Sequence, residues 1–167
     1  MRKLHIIGRK NSGKTTLVED LVRVLTGRGL NVGTVKHTHH HHEFDVPGKD
    51  SFRHRQAGAR VVGLIGPEMA AVYRDHQDCS REQALEWMSP AFNECDFVLI
   101  EGNQHTTAAK IEVWREAVGQ PALITSDPTI HAVVTDDTSP LEDCRVWKRT
   151  PIEQLADHIV SFLNSAE

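Results

Sequence analysis

Hydrophobic positions along the chain recur with two periods, and the change from one to the other marks the elements. Leu4-His5-Ile6-Ile7 reads as a strand. Leu17, Val18, Leu21, Val22 and Leu25 then fall on one face of a helix, closed by Gly27 and Gly29. Leu30-Asn31-Val32-Gly33-Thr34-Val35 reads as a second strand. Strand, loop, helix and strand in this order make a crossover, which requires parallel neighbours in a sheet covered by helices. The polar stretch from Lys36 to Asp50, broken by Pro47-Gly48, reads as a loop. Asp50 or Ser51 is expected to cap a short helix through Gln56, ended by Gly58. Val61 to Ile65 and Ala70 to Tyr73 flank the Gly66-Pro67 turn as a hairpin. Ser80 and Gln83 spell a capping box ahead of Ala84, Leu85, Trp87, Met88 and Phe92, a helix that Pro90 stops or kinks.

In the second half the continuous apolar run Phe97-Val98-Leu99-Ile100 predicts a central parallel strand. Ile111 to Trp114, Ala122 to Thr125 and Ala132 to Thr135 are further strand candidates. The last helix is expected to have Thr150 as cap, Pro151 at its first position and Glu153 closing the box. Ile152, Leu155, Ile159, Val160 and Leu163 face its core. No internal repeat or linker divides the chain, so the pattern predicts one domain over residues 1–167.

Between the first strand and the first helix stands Gly8-Arg9-Lys10-Asn11-Ser12-Gly13-Lys14-Thr15, a complete G-x-x-x-x-G-K-T phosphate-binding loop. Gly8 and Gly13 let the backbone fold tightly, so that N–H groups from Asn11 through Ser12 to Thr16 converge on phosphate oxygens. Lys14 reaches the β- and γ-phosphates and assists catalysis, and the Thr15 hydroxyl is a Mg²⁺ ligand. Such a loop needs a second acid at the end of a neighbouring buried strand. Glu101, at the carboxyl end of Asp96-Phe97-Val98-Leu99-Ile100-Glu101-Gly102, fits that place, whereas Asp96 enters at the opposite end. The fold class is therefore α/β: a three-layer P-loop NTPase-like domain with a mostly parallel central sheet flanked by helices, plus a β-hairpin extension.

Composition narrows the setting. The chain is 39% hydrophobic and 25% charged with a net charge of -4, which gives no footprint for nucleic acid. No apolar stretch approaches the roughly 20 residues needed to span a bilayer. Cys79, Cys95 and Cys144 are odd in number and far apart, as expected of reduced thiols in a cytoplasmic protein. Eleven histidines include His37, His39, His40, His41 and His42, directly after the second strand. Three readings stand for this tract: a Zn²⁺ or Ni²⁺ site, contact with an anionic substrate helped by Lys36, Lys49, Arg53 and Arg55, or a solvated run. Asp45 or Asp50, in the same connection, is a candidate to orient water or the Mg²⁺ shell.

Lys36-His37-Thr38-His39-His40, Pro47-Gly48-Lys49-Asp50-Ser51, Ala57-Gly58-Ala59, Ile100-Glu101-Gly102 and Ala109-Lys110-Ile111 form a more specific set. With the phosphate loop, this set resembles the molybdopterin-guanine dinucleotide biosynthesis protein B family, from the first strand to about Arg115. The resemblance implies a cytoplasmic, homodimeric, weakly GTP-hydrolysing protein with GTP and Mg²⁺ as cofactors. It would assist a molybdenum cofactor guanylyltransferase that attaches GMP to molybdopterin, making the guanine dinucleotide form. It favours Asp50 over Asp45 as the switch-like acid near the phosphates, and places Lys36, His37, His39, His40, Lys49 and Lys110 toward substrate or partner. Two departures stand out. Asn103 and Gln104 occupy places where the family commonly carries an aromatic and a lysine, leaving Lys110 as the remaining cation. Glu43-Phe44-Asp45-Val46 lacks a second acid usually found before Pro-Gly. Guanine reading is expected from Asp136, in the acidic turn after Ala132 to Thr135; an ordinary acidic turn is the alternative. A metal-insertion GTPase using the histidine tract and, further off, a small-molecule kinase using ATP remain as competing functions.

Overall fold

A computed structural model describes residues 2–38, 43–75, 79–138 and 142–165. The chain packs as two compact units, Met1–Thr38 with Ala91–Glu167, and His39–Pro90. In the first unit, six parallel strands run in the order β2-β5-β1-β6-β7-β8. They are β1 (Arg2–Ile7), β2 (Val32–Lys36), β5 (Phe97–Glu101), β6 (Lys110–Val113), β7 (Val133–Val134) and β8 (Val146–Trp147). β1 is interior and its carboxyl end opens into the phosphate loop. The register sets Ile6 beside Glu101, and Lys36 beside Glu101 from the other side.

Helices α1 (Lys14–Gly27) and α4 (Ile152–Ser165) cover one face of this sheet. Leu17, Leu21 and Leu25 of α1 and Leu155, Ile159 and Leu163 of α4 are buried against Leu4, Ile6, Phe97, Leu99 and Ile111. Each such side chain contributes about 1.5–3 kcal/mol by leaving water. Arg28 ties the two helices at the rim, donating to Asp157 (2.7 Å) and to the Glu153 carbonyl (3.1 Å). Within β2, a Cβ at Gly33 would meet the Phe92 ring at 2.6 Å, so the strand carries glycine where that ring lies against its backbone.

Ala122 to Thr125 is not a strand. Leu123–Thr125 is a 3₁₀ turn, because the buried Glu112 carboxylate on β6 accepts the N–H groups of Leu123 (2.7 Å) and Ile124 (3.0 Å). This turn packs Leu123 with Ile7 and Ile130 on the face opposite α1. β8, only two residues long, carries too short a period to stand out in the sequence. The last helix also starts later than expected. Pro151 offers its carbonyl to Leu155 N–H ahead of the first helical residue, Ile152, and the Thr150 hydroxyl donates to Asp136.

The second unit holds α2 (Asp50–Gln56), the antiparallel hairpin β3 (Val61–Ile65) with β4 (Ala70–Arg74), and α3 (Arg81–Met88). The Ser80–Gln83 capping box forms, and α3 gives way to a 3₁₀ turn at Ser89, beside Pro90. Neither Asp50 nor Ser51 caps α2: its cap residue is Lys49, and the Ser51 hydroxyl donates instead to Asp45 (2.9 Å). Among the described residues no helix is long and apolar enough to cross a membrane.

Candidate nucleotide-binding site

The phosphate loop adopts the backbone its glycines permit. Gly8 (φ 145°) and Gly13 (φ 93°) lie where a side chain is strained, and a Cβ on Gly8 would stand 2.3 Å from the Val113 carbonyl oxygen. Asn11 shares the left-handed region at φ 64°. The first bond of α1 runs from Leu17 N–H to the Gly13 carbonyl, and no side chain caps the helix. The N–H groups of Lys14, Thr15 and Thr16 precede that bond, so the helix has no acceptor for them and its positive end faces outward. Ser12 is buried, and its hydroxyl has no hydrogen-bond partner. The Lys14 ammonium folds back over the loop, donating to the carbonyls of Gly8 (2.9 Å) and Arg9 (2.7 Å). Partial burial pulls its pKa below the ordinary lysine value, against the opposing pull of Glu101.

On the β5 side, the Thr15 hydroxyl donates to Glu101 Oε1 at 2.9 Å. Lys36 Nζ stands 3.5 Å from the same oxygen, and the backbone N–H of His37 donates to the Glu101 carbonyl. Glycine is required next in the chain, since a Cβ on Gly102 (φ 96°) would lie 2.8 Å from the His37 carbonyl oxygen. Beneath it, His5 Nδ1 lies 3.4 Å from the Gly102 carbonyl oxygen, and burial holds this imidazole below its usual pKa. Thr15, Glu101, Lys36 and His37 thus meet at one edge of the sheet, where parallel α/β sheets bind ligands.

Other expected site residues have different surroundings. Lys110 is not offered to a ligand. It is 3% exposed and gives its three protons to the carbonyls of Gln104 (3.2 Å) and Thr106 (2.9 Å) and to Asp127 (2.7 Å). It braces the segment after Glu101. Asp136 lies at the carboxyl end of β7, as expected, but its carboxylate is spent within the chain: Oδ1 accepts from Arg149 N–H (2.9 Å) and Thr150 N–H (3.1 Å), Oδ2 from the Thr150 hydroxyl (2.9 Å). In the second unit, Lys49 and Asp50 are exposed, whereas Asp45 is buried and holds Ser51. His39 and His40 lie outside the described residues, as do His41 and His42. Among the described residues no group of three or more His, Cys, Asp or Glu side chains is placed to hold a metal ion.

Two residues went unnoticed in the sequence. Arg115 and Arg149 follow β6 and β8, and a Cβ on Gly13 would stand 2.7 Å from Arg149 Nη1 and 3.3 Å from Arg115 Cζ. For Arg115 the available signal was its position just past the strand Ile111 to Trp114; Arg149 follows β8, which the sequence does not announce.

The parallel sheet with an interior β1, the glycine-built loop and the Thr15–Glu101 contact define a class: a P-loop NTPase-like α/β protein. Comparison with known proteins is specific beyond the class. The sequence pattern of the family described as molybdopterin guanine dinucleotide synthesis protein B matches residues 3–136. A molybdopterin-guanine dinucleotide biosynthesis adapter protein of Escherichia coli (strain K12) is 33% identical over 155 residues, 91% of this chain and 87% of that one. Its counterpart in Haemophilus influenzae is 34% identical over 164 residues, 96% of this chain and 89% of that one. A crystal structure of molybdopterin-guanine biosynthesis protein B superposes with a TM-score of 0.72 at 28% identity, covering 97% of this chain and 99% of that one. The chain belongs to the molybdopterin guanine dinucleotide synthesis protein B family.

Proposed function

We propose that this protein is a GTP-binding adapter with weak GTPase activity. It assists a molybdenum cofactor guanylyltransferase in attaching GMP to molybdopterin, as its family membership and the names of its relatives suggest. The observation that carries the nucleotide part is the 2.9 Å contact between Thr15 and Glu101 beside the Lys14 ammonium. These are hard oxygen donors of the type Mg²⁺ takes. Thr15 and Glu101 would hold Mg²⁺, which would neutralise charge on the β- and γ-phosphate oxygens.

The chain's own groups do the rest. Lys14 exchanges the Gly8 and Arg9 carbonyls for phosphate oxygens. The N–H groups of Lys14, Thr15 and Thr16 give fixed donors along the phosphate chain. Lys36 and His37, at the same edge, face the transferred or retained phosphate and whatever anionic group the partner presents. Stabilisation of this kind is electrostatic and preorganised, and supports slow hydrolysis without a covalent step. Asp50 is proposed as the acid that orients water, and the exposed hairpin as the contact of a homodimer.

Titration with fluorescent GTP and ATP analogues, with and without Mg²⁺, tests the reading. GTP is expected to bind in preference to ATP. Lys14→Ala should weaken binding about tenfold or more, the worth of a hydrogen bond to a charged group. Glu101→Gln should lower the gain conferred by Mg²⁺. A preference for ATP would contradict the guanine assignment, and unchanged affinity in Lys14→Ala would reject the loop.

A further inference from the structure

We infer that Arg115 and Arg149 form a second cationic grip on the nucleotide, at its α-phosphate and base end, across the loop from Thr15 and Glu101. The inference rests on the nucleotide-binding reading above and deepens it. The strand order separates two sides of the loop. Lys36, His37 and Glu101 stand at the ends of β2 and β5, on one side of β1; Arg115 follows β6 and Arg149 follows β8, on the other. With the metal-binding pair fixing the β/γ end toward β5, the nucleoside end runs toward β6 and β8.

There the two guanidinium groups converge on the residue that precedes α1. From the Cβ position of Gly13, Arg149 Nη1 lies at 2.7 Å and Arg115 Cζ and Nη2 both at 3.3 Å. Two permanent positive charges therefore meet at the positive end of a helix. Arg149 faces Asp20 at 3.7 Å, an acid shared with Arg23 at 2.9 Å. Arg149 Nη1 is closed off from solvent and donates no hydrogen bond. An unspent, desolvated guanidinium N–H is costly, and a phosphate oxygen is the acceptor that the surrounding charge selects. The planar guanidinium also presents a face on which a base can stack.

The backbone of Arg149 is held in place by Asp136, whose Oδ1 accepts the N–H groups of Arg149 and Thr150. The carboxylate that the sequence offered to guanine is a positioning residue for the arginine beside the phosphate loop.

Isothermal titration of the full chain with GTP, GDP and inorganic pyrophosphate, all with Mg²⁺, tests the grip, since pyrophosphate matches the β/γ end and lacks both α-phosphate and base. Arg115→Ala and Arg149→Ala should each lower GTP and GDP affinity about tenfold and leave pyrophosphate within about twofold, while Lys14→Ala weakens all three. Arg149→Lys keeps the charge without the planar fork and should recover part of the loss, which separates a ligand contact from a folding defect. Equal loss for pyrophosphate and GTP would move the arginines to the β/γ end and overturn the inference, as would no loss at all. If the arginine variants bind normally and Lys14→Ala does not, the inference falls alone. A wild-type protein that binds none of the three ligands removes both.

Discussion

Lys14 and Lys110 carry the same ammonium group into different surroundings. Lys14 stands on acceptors that belong to the phosphate loop, five and six residues away, so its place follows from the local spelling. Lys110 is held by Asp127, seventeen residues on, and by two carbonyls of the segment after Glu101, which no local pattern announces. Asp136 likewise has partners that no local pattern announces: Arg149 and Thr150 are thirteen and fourteen residues distant. The Lys110–Asp127 pair has a pH signature. The hydrogen bond from Lys110, then that from Thr129, holds the Asp127 carboxyl below the usual carboxylate range. Its folded pKa is thus lower than the unfolded value of about 3.9, so its stabilisation is present above that pH and lost as pH falls through the folded value. Asp127→Asn should unfold at lower urea than wild type near neutrality, with the two converging under strong acid. A difference that stays constant with pH would show that ionisation of Asp127 contributes nothing.

At the level of elements, those whose signals are local formed as spelled: α1 with its leucine face, the Ser80–Gln83 box, and the hairpin around Gly66-Pro67. Elements whose ends are claimed by side chains outside the element did not. Ser51 donates to Asp45 and Thr150 to Asp136, so neither serves as the expected cap. Ala122 to Thr125 has the apolar content of a strand, yet the Glu112 carboxylate turns it into a 3₁₀ segment. Burial raises the pKa of this carboxyl, opposed by those two backbone N–H groups. Glu112→Ala would leave the N–H groups of Leu123 and Ile124 without their acceptor, at a cost on the order of 1–3 kcal/mol in urea unfolding. A loss below about 0.5 kcal/mol, the range of an ordinary surface substitution, would mean that the turn holds without it.

At the scale of the whole molecule, the hairpin of the second unit leaves Ile65 93%, Met69 81% and Val72 56% exposed. A two-stranded hairpin with unpaired edges and apolar side chains pairs readily with a second copy. If it carries the proposed homodimer, Ile65→Lys with Val72→Lys should shift sedimentation from dimer toward monomer at micromolar concentration, with nucleotide binding per chain retained. A wild-type monomer, or a variant dimer of undiminished strength, would place assembly elsewhere. The sequence by itself determined the phosphate loop, the strand–helix crossover around it and the acid at the end of β5, because each depends on residues adjacent in the chain or on one strand's length. The set from Lys36 to Ile111 likewise marked the family. Only the tertiary structure decided which charges remain available to a ligand. It buried Lys110, spent Asp136 on the backbone of Arg149 and brought Arg115 and Arg149 to Gly13 from separate strand ends. The physical reason is that a charged side chain's role is set by the partners that compete for it, and in a parallel sheet those partners arrive from strands far apart in sequence.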